Sequence, residues 1–214
     1  MYSHKKNIIY SGAETGKAKA GLILLHGRGA SAKDILSLAN YFNLTDTRIA
    51  APQATNNSWY PYSFLSPVVQ NQPSLDSALE LIGEIVAELS KGGIIEEKIF
   101  FAGFSQGACL TLEYCSRNAK KYGGIIAFTG GLIGEQLNQK NYTGDFANTP
   151  VLITTGNPDP HVPVHRVKES ATIMQALNAN VTVKIYDGRP HTILQEEIEL
   201  ASDIFLNTLN EKLN

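Results

Sequence analysis

Short apolar runs alternate with segments of helical periodicity along almost the whole chain. Seven runs are predicted to be strands, at residues 7–10, 21–25, 48–51, 98–102, 124–128, 151–155 and 181–186. Most are continuously apolar, which is typical of strands buried on both faces. Between them, helices are predicted at residues 31–42, 74–90, 105–118, 164–178 and 192–213. This alternation predicts an α/β fold: a mostly parallel sheet of about seven strands with helices on both faces.

Residues 52–73 fit neither pattern, because Pro, Asn and Ser are interleaved there with aromatic residues. Loops this long within compact domains are usually functional or disordered, and the aromatic content argues against disorder. The predicted elements use nearly all 214 residues. We therefore expect residues 1–214 to form a single domain without a cap domain, and this loop is the only segment left to cover a site.

Composition excludes several classes of function. The net charge of -2 offers no field that would attract nucleic acid. No apolar run approaches the roughly 20 residues of a membrane helix, and residues 1–10 lack the apolar core of a signal peptide. These features predict a cytoplasmic protein without stable membrane association. Cys109 and Cys115 lie about 9 Å apart on a predicted helix, which is too far for a disulfide.

The segment 98–107, KIFFAGFSQG, carries the strongest chemical signal. It contains G-x-S-x-G between a predicted strand and a predicted helix, and this arrangement places a serine on a tight turn with its hydroxyl exposed. The strand and the helix nearly collide there, so small residues are needed on both sides of the serine, and Gly103 and Gly107 supply them. Ser105 is the predicted nucleophile.

Acyl transfer also needs donors for the oxygen that becomes negative. In this architecture they are the amide after the serine, here Gln106, and an amide in an early loop after a strand. Residues 26–29, HGRG, form such a loop, and Arg28 is the predicted second donor. His26 is a rival candidate for the catalytic base, although a histidine at a strand end is more often structural. The loop lacks the glycine and lysine spacing of phosphate-binding motifs.

Two later strands end in loops that supply a carboxylate and an imidazole. Asp159 follows the predicted strand 151–155, and His191 follows the predicted strand 181–186. Both positions fall at the sheet edge that carries Ser105, in the chain order serine, acid, histidine. A histidine activates a serine by taking its proton, and a carboxylate orients the histidine. Asp159 and His191 are therefore the predicted acid and base.

Three other side chains compete for roles in this region. Asp187 is an alternative acid four residues before His191, although a loop-capping role suits it better. His161 and His165 have the spacing of a metal-binding pair, but Pro163 interrupts the helical face between them and no third ligand presents itself. We predict no metal and no cofactor.

The segments LILLHGRGAS, GFSQGA, GNPDPHVP and GRPHTI together resemble the phospholipase/carboxylesterase family of small α/β-hydrolases, which includes the acyl-protein thioesterases. The resemblance covers nearly the whole chain. It implies an α/β-hydrolase fold, a triad of Ser105, Asp159 and His191, and oxyanion donors at Arg28 and Gln106. Two positions differ from thioesterase members: Pro190 replaces a glycine before the histidine, and Arg28 stands where an apolar residue is frequent.

These features predict a serine hydrolase that cleaves small-molecule carboxylic esters, with thioesters as a second class of substrate, through an acyl-enzyme intermediate. Without a cap domain the pocket is expected to be shallow and to suit short to medium acyl chains. Trp59 and Tyr60 are the predicted substrate contacts, the alternative being that they only anchor the loop. An inert ligand-binding module is the alternative function, and a monomer and a homodimer are both compatible with the sequence.

Overall fold

The computed structural model describes residues 2–42 and 44–210. Their seven strands form one sheet in the order β1-β3-β2-β4-β5-β6-β7. Only β1 is antiparallel to its neighbour, and the other strand pairs are parallel. The strands are β1 (Ile8–Gly12), β2 (Ala20–Leu25), β3 (Thr47–Pro52), β4 (Ile99–Phe104), β5 (Gly124–Phe128), β6 (Pro150–Asn157) and β7 (Asn180–Asp187).

Helices cover both faces of this sheet. They are α1 (Ala32–Leu36), α2 (Val68–Asn71), α3 (Ser74–Lys91), α4 (Gln106–Arg117), α5 (Val164–Ala176) and α6 (Gln195–Asn210). Side chains of β2 alternate between two apolar clusters: Ile23 and Leu25 pack with α3, α4 and α5, whereas Leu22 and Leu24 pack with α1 and α6. The continuous apolar character of the central strands thus reflects burial on both faces.

All seven predicted strands are present, and each boundary lies within two residues of its prediction. The predicted helix at 31–42 is correct only in part. Its α-helical portion ends at Leu36, and a 3₁₀ helix continues over Ser37–Tyr41. The last helix begins at Gln195 rather than at residue 192, and the predicted end at residue 213 lies outside the described residues.

The 52–73 segment is mostly irregular, as predicted, but it contains a 3₁₀ turn at Thr55–Asn57 and the short helix α2. It lies beside the carboxyl ends of the central strands, where the loops after β2, β4, β6 and β7 also meet. Within the described ranges there is no cap domain, and none of the helices has the length and apolar character that a membrane span requires.

Candidate active site

The turn between β4 and α4 presents Ser105 in a strained backbone conformation. Its φ of 54° and ψ of -118° are unusual for a residue with a side chain. A Cβ atom on Gly103 would lie 2.4 Å from the carbonyl oxygen of Gly107, and one on Gly107 would lie 2.1 Å from that of Leu25. Glycine is therefore required at both positions, because the strand and the helix leave no room for a side chain.

Ser105 begins a line of two hydrogen bonds. Its Oγ lies 2.9 Å from Nε2 of His191, and Nδ1 of the same ring lies 2.9 Å from Oδ2 of Asp159. With the carboxylate ionised, Nδ1–H donates to Asp159, which leaves Nε2 free to accept the serine proton. The structure thus brings together all three residues predicted as nucleophile, base and acid.

The surroundings of Asp159 favour its charged form. Its side chain is fully shielded from solvent. This burial alone would raise its pKa, but hydrogen bonds from His191 and from the amides of His161 and Val162 outweigh it, so the pKa lies below the ordinary value. Both amides donate to Oδ1 at 2.9 Å. Oδ1 anchors the carboxylate to its own loop, and Oδ2 remains for the imidazole.

A buried ion pair holds the loop that carries His191. Nη1 of Arg189 lies 3.5 Å from Oε2 of Glu197, and both side chains are almost completely buried. Nη2 of Arg189 donates to Oγ1 of Thr129 at 2.6 Å, and Nη1 donates to the carbonyl of Thr192. These contacts connect the histidine loop to the end of β5 and to α6.

Sequence reasoning missed Arg189 and Glu197. Arg189 lies two residues before His191, and this proximity was the only available signal. Glu197 resembles an ordinary acidic residue in the first turn of a helix. Nothing in the linear pattern indicates that both side chains turn inward and pair.

The two amides predicted to stabilise an oxyanion lie on the same cavity as Ser105. Gln106 is the first residue of α4, and Arg28 belongs to the loop after β2. A Cβ on Gly27 would lie 3.5 Å from the Ser105 Cβ, so this loop packs directly against the serine. Within the part of the chain that the structure describes, neither amide N–H donates to a protein acceptor. Both remain available to a bound oxygen.

The cavity has a volume of about 650 Å³. Besides Ser105 and His191, its walls come from the loop after β2, the aromatic 60–65 segment, Phe104, Cys109 and residues 160–162. Tyr60 lines it, but Trp59 does not. Trp59 is completely buried behind the wall, where its indole N–H donates to the carbonyl of His26 at 2.9 Å. Of the two predicted substrate contacts, the structure thus places Tyr60 on the cavity wall and Trp59 behind it.

The rival candidates have other partners. His26 is buried, and its Nε2 accepts from the amide of Ala54 at 3.1 Å. Asp187 accepts from Nδ2 of Asn157 at 3.1 Å. The ring of His161 meets that of His191 edge-on, with 5.0 Å between centroids. No group of three or more His, Cys, Asp or Glu side chains in residues 2–42 and 44–210 has an arrangement that could hold a metal ion.

The two cysteines are free and buried. Burial raises the pKa of Cys109 to about 12, although the Gly131 amide and Tyr60 partly oppose the shift. Burial also raises the pKa of Cys115 well above its ordinary value. Neither thiol is ionised near neutral pH, and neither occupies the turn after β4.

The model of the phospholipase/carboxylesterase family matches residues 7–210. The chain belongs to this family. A crystal structure of a phospholipase/carboxylesterase from Dyadobacter fermentans is 62% identical, with a TM-score of 0.94, and the match covers 96% of this chain and 99% of that one. The α/β-hydrolase fold, the hydrolase activity class and the family resemblance predicted from the sequence are thereby confirmed.

Relatives in the family carry esterase and thioesterase names. Acyl-protein thioesterase 1 from Kluyveromyces lactis is 27% identical over 90% of this chain and 93% of its own length. The Arabidopsis thaliana protein "Probable carboxylesterase SOBER1-like" is 27% identical over 85% of this chain and 76% of its own length. Both names fit a serine esterase of this family, and they leave the choice between oxygen and sulfur esters open.

Proposed function

We propose that this chain hydrolyses small-molecule carboxylic esters through a triad of Ser105, His191 and Asp159, with thioesters as a second class of substrate. The observation that carries the proposal is the continuous hydrogen-bonded line from Ser105 Oγ to the Asp159 carboxylate. Residues 1–214 act as one catalytic domain that needs no metal and no cofactor in this scheme.

In the first half-reaction, the Ser105 oxygen attacks the acyl carbon while Nε2 of His191 takes its proton. The carbonyl oxygen becomes negative, and the amides of Arg28 and Gln106 hold it. His191 then gives the proton to the departing alcohol or thiol, which leaves an acyl group on Ser105. In the second half-reaction, Nε2 of His191 takes a proton from water while the water oxygen attacks the acyl carbon. The bond to Ser105 Oγ then breaks, His191 returns the proton to Oγ, and the carboxylic acid leaves. Asp159 stays ionised and supports the imidazolium that forms at each step.

The size and position of the cavity support short to medium acyl chains. Its walls are mixed: Phe64, Leu65 and Phe104 offer apolar surface, whereas Ser63 and the histidines offer polar groups. Tyr60 is the aromatic wall residue that we retain from the sequence prediction. Trp59 supports the wall from behind, so its contribution is to hold the loop rather than to touch the acyl group.

The test replaces Ser105 with alanine. We expect kcat for an activated short-chain ester to fall by about five to six orders of magnitude, since the residues of a serine triad act as a unit. A fluorophosphonate should label the native chain with one equivalent and should not label Ser105→Ala.

Ser63→Ala is the matched control for this test, because Ser63 lines the same cavity but its hydroxyl only accepts from the amide of Leu65. We expect this variant to keep stoichiometric labelling. Native-like turnover by Ser105→Ala would remove the serine from its role. Stoichiometric ligand binding without turnover of any ester would favour the inert binding module.

A further inference from the structure

The side chain of Arg28 lies on the cavity wall, and its charge has no acidic partner among the described residues. Its Nη1 donates to Oγ of Ser58 at 3.1 Å and to the carbonyl of Pro61 at 2.8 Å, and its Nη2 donates to the carbonyl of Tyr62 at 2.6 Å. These acceptors are all neutral. No carboxylate in the described residues lies within ion-pairing distance of the guanidinium, whose carbon lies 5.9 Å from the Tyr60 ring centroid.

The remainder of the cavity adds no negative charge. Among residues 2–42 and 44–210, its lining includes Arg28, His161 and His191, but no aspartate, glutamate or lysine. The carboxylate of Asp159 lies behind His191, where three hydrogen bonds occupy it. The amino end of the twelve-residue helix α4 also faces this cavity and contributes partial positive charge. The space in front of Ser105 therefore favours an anionic group.

Anchoring the 58–63 segment does not by itself require a charge. Two neutral side-chain amides, those of Gln106 and Asn71, also hold this segment by hydrogen bonds. The side chain of Gln106 accepts from the Trp59 amide and donates to the Tyr60 carbonyl. The side chain of Asn71 likewise accepts from one backbone group of the segment and donates to another. Arg28 differs from these two amides in two respects. It carries a positive charge, and some of its N–H groups have no acceptor in the described part of the chain.

A guanidinium carries five N–H groups. Three are used in the contacts with the loop, and the Nε–H and one Nη2–H have no acceptor in the described part of the chain. Arginine binds carboxylates and phosphates through such N–H groups. The contacts with the loop already fix the orientation of the guanidinium before a ligand binds. Arg28 is exposed, so a ligand in the cavity can reach it.

We propose that Arg28 binds a carboxylate on the substrate, so that this enzyme prefers esters of compounds that carry a second, anionic group. The inference rests on the proposed function and names its substrate class.

The experiment compares esters that differ in one charge. On the acyl side, the phenyl half-ester of adipic acid is paired with its uncharged monoamide. On the alcohol side, 3-carboxyphenyl butyrate is paired with 3-carbamoylphenyl butyrate. We expect the ratio of kcat/KM, charged over uncharged, to be about tenfold or more in at least one pair, which is the ordinary effect of one charge-assisted hydrogen bond. The ratio should fall as salt is added.

The variants separate charge from anchoring. Arg28→Gln should bring the ratio close to one, whereas Arg28→Lys should keep most of the preference. Lys91→Gln removes one positive charge at the C-terminal end of α3 and should leave the ratio as it is in the native chain. If Arg28→Gln does not fold, competitive inhibition of the native enzyme by adipate but not by adipamide, weakened by salt, gives the same information.

Charged and uncharged esters cleaved equally by the native enzyme in both pairs would overturn the inference, as would an unchanged ratio in Arg28→Gln. Either result leaves the proposed function intact, because the uncharged esters are still cleaved. Failure to cleave any ester would instead refute the proposed function.

Discussion

The two oxygens of the Asp159 carboxylate have different partners. Oδ1 accepts hydrogen bonds from two backbone amides of its own loop, and Oδ2 faces the His191 ring. Asp187 lies nearer to His191 in the sequence, but it is exposed and bonds to the side chain of Asn157. The choice between the two acids is therefore decided by which carboxylate is shielded and aimed at the imidazole.

We predict that Asp159→Asn lowers kcat by about four orders of magnitude, because the amide favours the wrong imidazole tautomer. Steady-state kinetics on an activated ester, with circular dichroism to check the fold, measures the effect. Asp187→Asn is the matched control and should stay within about threefold of the native rate, since only a surface hydrogen bond changes. A larger loss in Asp187→Asn than in Asp159→Asn would reverse the acid assignment.

Trp59 and Tyr60 show where prediction from sequence stops at the residue scale. Neighbouring residues of an irregular loop have no fixed period, so the sequence does not determine which side chain faces the cavity. The positions of Ser105, His191 and Asp159 are predictable because strand ends and motif spacing locate them. The inward pairing of Arg189 with Glu197 depends on tertiary packing, which leaves no pattern along the chain.

At the element scale, the contact between β4, α4 and β2 determines the shape of the turn that carries Ser105. The carbonyl oxygens of Gly107 and Leu25 occupy the positions that side chains would need at Gly103 and Gly107. Gly83, in the middle of α3, has a different environment, because a Cβ there would first meet Tyr114 at 3.8 Å, an ordinary contact.

These environments predict opposite outcomes for the same substitution. Gly107→Ala should lower the free energy of unfolding by at least about 2 kcal/mol through overpacking and should abolish ester turnover. Gly83→Ala should raise the free energy of unfolding by about 0.5–1 kcal/mol, since alanine loses less backbone entropy in a helix. Urea unfolding curves measure both. An active Gly107→Ala variant of native stability would show that the turn is looser than described.

Sequence periodicity predicts the loop between β7 and α6 less well than the neighbouring strand and helix. Periodicity predicts that the last helix starts at residue 192, but the Thr192 carbonyl accepts a hydrogen bond from Arg189, and the Leu194 amide donates one to Glu197. The buried ion pair thus extends the loop to the start of α6 at Gln195. His191 lies inside this loop, so we expect Arg189 to act as a positioning residue.

We predict that Arg189→Met lowers the free energy of unfolding by about 3–5 kcal/mol, because it leaves the Glu197 charge buried and unpaired. Displacement of His191 should also lower kcat by about a hundredfold, with a smaller change in KM. The control is Lys19→Met, which breaks an exposed pair with Asp46 and should cost less than about 1 kcal/mol. An unchanged kcat in Arg189→Met would refute the positioning role. Equal stability losses in the two variants would refute the cost assigned to the unpaired Glu197 charge.

At the scale of the whole molecule, the parallel sheet explains how distant residues meet. β4, β6 and β7 all run in the same direction, so the loops that follow them lie along one edge. Ser105, Asp159 and His191 belong to these three loops. The regular strands could be predicted from their apolar runs, whereas the position of the 52–73 segment over the same edge depends on hydrogen bonds that the sequence does not display.

Those hydrogen bonds fix the 52–73 segment to the body of the enzyme. Gln106 and Arg28 bond to residues in the middle of the segment, and Asn71, near its end, bonds to Tyr62 and Ser63 in the same middle part. His4, which is buried despite its place near the N-terminus, bonds to the carbonyl of Trp59 at 2.9 Å. We expect a segment held from several sides to act as a fixed wall, so that the cavity stays open without a closing movement.

A fixed wall predicts that hydrolysis needs no lipid interface. With tributyrin, we expect the rate to rise smoothly through the solubility limit and to saturate, because no lid has to open before Ser105 is reached. Asn71→Ala removes two bonds to the segment, to Tyr62 and Ser63, and should raise KM while keeping the smooth profile. An abrupt increase in rate at the solubility limit, in a pH-stat titration of the native enzyme, would mean that the segment does open as a lid.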